Sequence, residues 1–215
     1  MGRLIGIFGS SGFGREVMPL VRYQLADAGS EDEIVFVEKA AGPMKNGVPV
    51  IAQSSFLGNG GARAFVIAIA DGTIRKRLQE EALQGGAAPL NVRSRSAEVL
   101  DGVAFGAGFI LCGHSTISAN TRVGLGFHLN VSSYLAHDCL VGDFVTFGPN
   151  VVCAGNVVIE DMAYIGAGAV IRQGRPDDAV IIGAGAVIGM GAVVTKSVPP
   201  GVTVVGNPAR LLEKR

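Results

Sequence analysis

Several residue types that mark protein classes are scarce here. Only three cysteines occur in 215 residues, Cys112, Cys139 and Cys153, and none stands in a C-x-x-C pair. That spacing argues against a disulfide scaffold and fits small buried thiols in a reducing compartment. Charge of neither sign is in excess, since 18 acidic and 18 basic residues cancel, so nothing points to a nucleic-acid or anionic-membrane surface. Glycines and Ser10 interrupt the apolar stretch from Leu4 to Val17, and long charge-free runs occur only in glycine-rich sequence; neither a signal peptide nor a membrane span is expected. These absences predict a soluble cytoplasmic protein. Histidine is scarce too. His114, His128 and His137 are 14 and 9 residues apart, spacings that set no convergent metal ligands, so no metal is expected.

Abundant instead is a period. Every sixth residue from Val99 to Ile171 is apolar, thirteen of thirteen, which chance would give fewer than about one time in a thousand. The residues four places after each are small or β-branched in most cases, and those directly after are mostly small, such as Gly106, Gly124, Gly142, Gly148 and Gly166. Six residues fit one short strand plus one tight corner, and three such hexads close one coil of a triangular solenoid, the parallel β-helix of hexapeptide repeats. Stacked coils bury an inner column of Ile, Leu, Val and Phe, each worth about 1.5–3 kcal/mol when fully buried. The phase breaks after Ile171, because the next apolar residue in step is Ile182; Arg172 to Val180 therefore holds a projecting loop.

The first part of the chain reads differently. A strand at residues 3–8 runs into Gly9-Ser10-Ser11-Gly12-Phe13-Gly14 and then a helix from about Gly14 to Ala26. This is the opening of a Rossmann-like βαβ unit, whose helix N-terminus can receive a phosphate, although G-x-x-G-x-G is not the dinucleotide fingerprint. A second strand over 34–37 ends at Glu38, where a ribose or base contact would fall. Asn46-Gly47 turns into a short extended piece, residues 54–57 form a short helix, residues 64–70 a strand, and residues 73–83 a helix whose Arg75-Lys76-Arg77 run reads as a solvated face. Gly85-Gly86 ends that helix. The expected domains are 1–88, a small α/β unit, and 89–215, the all-β solenoid with its tail.

Chemistry near neutral pH needs a base, and His137 stands past a solenoid corner with Asp138 beside it. A carboxylate can fix an imidazole's tautomer. Neighbours in an extended strand point to opposite faces, so a direct bond between the two requires a corner conformation.

The hexads, the stretch Asn130-Val131-Ser132-Ser133-Tyr134-Leu135-Ala136-His137-Asp138, the Ala154-Gly155-Asn156 step, and the ending Val198-Pro199-Pro200-Gly201 to Gly206-Asn207-Pro208-Ala209-Arg210 resemble the left-handed β-helix acyltransferases. Joined to the Gly9–Glu16 turn, they resemble more narrowly the bacterial nucleotide-sugar N-acetyltransferases of the bacillosamine, perosamine and sialic-acid-pathway group. The resemblance implies left-handed coiling and a homotrimer with active sites between neighbouring solenoids. It implies acetyl-CoA as co-substrate, and the amine of a nucleotide-linked amino sugar, at C4, as acceptor in surface glycan biosynthesis. By the same resemblance His137 is the general base, Asp138 its acidic neighbour, and Gly155 the donor to the thioester oxygen. Gly9, Ser10, Ser11, Gly12, Phe13 and Glu38 then match the nucleotide-sugar side, Asn130 lies near the sugar, and Thr146, Gly155, Ala167 and Gly191 lie along the cofactor. Two positions depart from the group: Thr146 and Phe13 stand where many members have histidine. O-acetylation of a sugar or sialic acid by the same apparatus, and a non-catalytic trimeric scaffold, remain open on the sequence.

Overall fold

The structure, a computed structural model, describes residues 2–213; Met1, Lys214 and Arg215 of the two expected domains lie outside the described residues. The chain forms two compact units, one of the residues up to Arg93 with Ala107–Phe109, the other of Ser94–Gly106 with the residues from Ile110 onward. The division thus falls after Arg93 and not after residue 88.

The first unit is built on β1 (Leu4–Phe8), α1 (Gly12–Asp27), β2 (Glu33–Glu38), β3 (Gly42–Lys45), β4 (Val48–Ala52), α2 (Gln53–Leu57), β5 (Arg63–Ile67), α3 (Gly72–Gln84) and β6 (Ala88–Pro89). The sheet order is β3-β4-β2-β1-β5-β6. Every pairing is parallel except β3 with β4, and β6 extends the sheet past the expected domain end. β1 is buried on both faces, as a central parallel strand must be, and Phe8 meets Phe56 and Phe65 edge-on at 5.5 and 6.2 Å between ring centroids. The helix after the glycine turn begins at Gly12, two residues earlier than expected, and buries Gly14, Val17, Met18, Val21 and Leu25 along one stripe. Position 14 must be glycine, because a Cβ there would lie 1.9 Å from the Gly9 carbonyl oxygen.

One expectation for this unit is met and extended, and one needs correction. The extended piece after Asn46-Gly47 is the second arm of a hairpin whose first arm is β3, and Asn46 and Gly47 both adopt positive φ, 49° and 74°, as a tight hairpin turn requires. Arg75 is not on a solvated face. It is 1 % exposed, its Nη1 donates to the carbonyls of Ile69 and Ala70 at 2.8 Å each, and burial pulls its pKa down to about 9 against the opposing charge of Asp71. Asp71 caps α3 by accepting from the Ile74 amide at 2.9 Å. Arg75→Met strips the donor from two carbonyls, so thermal or denaturant unfolding should show a loss of about 2 kcal/mol or more; an unchanged melt overturns this role.

The second unit is a parallel β-helix of three faces. The first face stacks Ile110–Leu111, His128–Leu129, Thr146–Phe147, Tyr164–Ile165, Val187–Ile188 and Thr203–Val205. The second stacks Glu98–Val99, Thr116–Ile117, Tyr134–Leu135, Val152–Cys153, Val170–Ile171 and Val193–Val194. On the third lie Ala104–Phe105, Arg122–Val123, Leu140–Val141, Val157–Ile159 and Val180–Ile182. The sixth-residue column is the core, 0–6 % exposed from Leu111 through Ile171 and on to Ile182, Ile188 and Val194. Val99 and Phe105, in the end coil, are half-buried. The row four places on is buried as well from Ser115, and its hydroxyls are satisfied inside: Ser115, Thr121 and Ser133 donate to the carbonyls of Cys112, Ala136 and Gly148 at 2.7, 3.0 and 2.8 Å. Arg175–Ala179 form the excursion that breaks the period, since Asn156 lies opposite Gly174 while Val157 pairs with Val180. No helix among the described residues is long and apolar enough to cross a membrane.

Candidate active site

In the first unit, the glycine turn leads from the carboxyl end of β1 into α1, with Gly9 buried at φ 95°. Ser10 is buried, and its amide and hydroxyl both donate to Glu38 Oε1, at 2.7 and 2.5 Å. Lys45 Nζ reaches the same serine, donating to its Oγ at 2.7 Å and its carbonyl at 3.3 Å. Sequence reasoning missed Lys45, because it rides on the unrecognised strand β3. Ser11 is the N-cap of α1, with no side-chain bond to the helix. Gly12 is exposed, and a Cβ there would meet nothing within 4 Å. Phe13 is half-buried. A cavity of about 400 Å³ opens at the carboxyl ends of β1 and β2, with Phe8, Gly9, Val37 and Glu38 on one side and Ile69 and Leu78 on the other. Carboxyl ends of parallel strands beside a helix N-terminus are where α/β sheets take nucleotides.

In the second unit, His137 and Asp138 occupy the corner between the second and third faces. Asp138 takes a left-handed backbone conformation, φ 55°, uncommon for a residue with a side chain but tolerated by Asp. Its amide donates to the Ala119 carbonyl of the previous coil at 3.1 Å. That turn swings the carboxylate alongside the neighbouring ring, and His137 Nδ1 lies 2.7 Å from Asp138 Oδ2. A carboxylate only accepts, so Nδ1 carries the proton and Nε2 presents its lone pair. Both side chains are about half exposed, 45 and 49 %, so the pair is open to a substrate.

One coil on, Gly155 is buried beneath that ring. A Cβ on Gly155 would lie 2.5, 2.7 and 3.0 Å from Cε1, Nε2 and Nδ1 of His137. The imidazole therefore fills the space that any other residue would claim, and its free nitrogen lies over the backbone of the next coil. Inside the corner, Cys139 Sγ donates to the His137 and Ala154 carbonyls at 3.6 and 3.4 Å. The bond that Cys153 donates to Cys139, and then burial, push the Cys153 thiol up. All three cysteines are buried and unbridged.

The other predicted site residues stand elsewhere on the solenoid. Asn130 lies at the corner between the first and second faces, where its Oδ1 accepts from the Val131 amide at 2.7 Å. Ala167 and Gly191 share that edge, joined by a 2.9 Å bond from the Gly191 amide to the Ala167 carbonyl. Thr146 is 5 % exposed in a first-face strand between those of His128 and Tyr164. Within one chain Asn130, Ala167 and Gly191 are a full prism side from His137, on the order of 15–20 Å for six near-extended residues, and Thr146 lies on the face across the prism from it.

Residues 4–82 match the PglD N-terminal domain family. Over 214 residues, 98% of this chain and 97% of the relative, the sequence is 48% identical to a GDP-perosamine N-acetyltransferase of Escherichia coli O157:H7. The chain belongs to the nucleotide-sugar N-acetyltransferase family. Among solved structures, WeeI from Acinetobacter baumannii AYE superposes with a TM-score of 0.94 at 48% identity, covering 98% of this chain and 100% of that one. PerB from Caulobacter crescentus, solved with CoA and GDP-perosamine, gives 0.84 at 28% identity over 99% of this chain and 98% of that one. The fold is thus a Rossmann-like α/β domain followed by a left-handed β-helix.

Proposed function

We propose that this protein moves the acetyl group of acetyl-CoA onto the C4 amine of a GDP-linked amino-deoxy sugar, with His137 as general base. The observation that carries the reading is the His137–Asp138 pair, 2.7 Å apart, with Nε2 held over the backbone of Gly155. The amine nitrogen attacks the thioester carbon, and Nε2 takes the proton that nitrogen sheds. The C–S bond then breaks, and the thiolate leaves with a proton returned from the imidazolium. Charge on the carbonyl oxygen of the tetrahedral intermediate is met by the Gly155 amide. Asp138 holds the tautomer and offsets the imidazolium charge.

Guanosine as the nucleotide is supported by the GDP-perosamine of the Escherichia coli and Caulobacter relatives. The turn of Gly9, Ser10, Ser11, Gly12 and Phe13, with Glu38, takes the nucleotide side. Asn130, Thr146, Ala167 and Gly191 belong to the reading only if a second copy supplies them, because one chain holds them a prism side from His137 or, for Thr146, across the prism from it. A homotrimer whose neighbours meet edge to edge meets that need, and light scattering giving a monomer would remove it. Reduced, buried thiols suit a cytoplasmic setting.

The deciding experiment incubates the protein with acetyl-CoA and a panel of GDP-, UDP- and dTDP-linked 4-amino sugars, followed by mass spectrometry. The GDP-linked amino sugar should gain one acetyl group, as an amide that survives mild base. A base-labile acetyl ester would make the reaction O-acetylation, and no gain on any acceptor would sink the transferase reading.

A further inference from the structure

Gln173 stands in the same corner row as His137 and Gly155, and we infer that its side-chain amide positions the acyl donor by bonding the amide group nearest the thioester. The inference rests on the acyl-thioester reading above. The row is set by register. Cys153 pairs with Ile171, and one corner bond repeats coil after coil: the Asp138 amide to the Ala119 carbonyl at 3.1 Å, Asn156 to His137 at 3.2 Å, Gly174 to Gly155 at 3.0 Å. Ala119, His137, Gly155 and Gln173 thus hold equivalent places in four successive coils, about 4.8 Å apart.

What each of the four contributes decides the direction of the donor. Ala119 offers a methyl group and a carbonyl already bonded to Asp138. Gly155 offers no side chain, and the His137 ring leans over it, away from Ala119. Reaction at Nε2 therefore takes place over the Gly155 coil, and the next side chain in the row is the exposed amide of Gln173.

Its backbone is held firmly. A Cβ on Gly174 would lie 2.2 Å from the Asn156 carbonyl oxygen and 2.7 Å from the Val180 nitrogen. Directly afterwards the Arg175–Ala179 excursion is pinned by two bonds between Arg175 and Asp178, 2.9 and 3.1 Å. The five extra residues leave and rejoin the solenoid without moving Gln173 out of line.

The chemistry of the donor fits that spacing. In a coenzyme A thioester the first amide nitrogen is three bonds from the sulfur, about 4 Å, close to one coil step. A thioester over Gly155 then sets this amide at Gln173. Gln173 can give an N–H to its carbonyl or accept its N–H, whichever of the two faces the solenoid, a choice that no charged or aliphatic side chain provides.

The test compares wild type, Gln173→Leu and Gln173→Asn with acetyl-CoA, with S-acetyl-N-acetylcysteamine, which keeps that amide, and with S-ethyl thioacetate, which lacks it. Gln173→Leu should raise KM for acetyl-CoA and the cysteamine thioester about five- to twentyfold and leave kcat within about twofold. It should not change kcat/KM for S-ethyl thioacetate, and Gln173→Asn should recover part of the loss. An unchanged KM for acetyl-CoA in Gln173→Leu overturns the assignment whatever the short thioesters do, as does an equal loss with and without the amide. Wild-type protein that transfers no acetyl group defeats the transferase reading itself, a result distinct from either.

Discussion

His137→Asn should lower kcat for acetyl transfer at least about a hundredfold, the usual share of a general base, while the protein melts within a degree or two of wild type. The two halves of that expectation come from different observations. His137 is about half exposed, and among the described residues its side chain is tied by the bond to Asp138 alone while its carbonyl keeps its bonds in any variant, so little folding energy is lost. Nε2, by contrast, is the one group at this corner whose lone pair is both free and fixed in direction, because Nδ1 is committed to a carboxylate 2.7 Å away. Asparagine keeps a polar side chain there but offers no basic nitrogen. Asp138→Asn should cost less, about ten- to a hundredfold, because the ring nitrogen remains to take the proton but loses the partner that selects its tautomer and offsets the imidazolium charge. CoA release followed with a thiol reagent, beside a melting curve for each variant, checks both. Near-wild-type turnover in well-folded His137→Asn removes the proposed base, and Asp138→Asn more damaging than His137→Asn reverses the roles.

The solenoid was readable because a single period links sequence to burial: a residue six places from a core residue is again a core residue, and the corners between tolerate mainly small side chains. Where burial depends on contacts remote in sequence, that link fails. β3 is an exposed edge arm, Gly42-Pro43-Met44-Lys45, with no alternation to reveal it; the Asn46-Gly47 turn was the available signal. Lys45 on it reaches Ser10, 35 residues away, which no local pattern encodes. Arg75 was misread because three adjacent charges suggest a wet helix face. Helical phase held the correction, since Arg75, Leu78, Gln79 and Ala82 form one buried stripe. At the site, the identity of His137 and Asp138 could be read, yet their bond could not, for it depends on a backbone angle of 55° at Asp138. Asn130 precedes His137 by seven residues, one hexad plus one, so hexad arithmetic alone sets the two on different edges.

Gly155→Ala should be almost as damaging to turnover as losing the base, with kcat down about a hundredfold, although it adds a single methyl group. That methyl would sit 2.5 Å from Cε1 and 2.7 Å from Nε2 of His137, well inside contact distance. Alanine is free to adopt the backbone there, because Gly155 is not among the glycines with left-handed φ, and the ring above it is the mobile party. The imidazole must then swing out towards solvent, which pulls Nδ1 off Asp138 and Nε2 away from the Gly155 amide together. Folding should suffer little, since the displaced side chain is already half exposed. Loss through ring position also predicts non-additivity: once Gly155→Ala has moved the ring, adding Asp138→Asn should cost less than it does alone. Steady-state kinetics on the two single variants and the double variant measure this directly. Full turnover in folded Gly155→Ala, or losses that simply multiply, would mean that the imidazole does not work from its place over this coil.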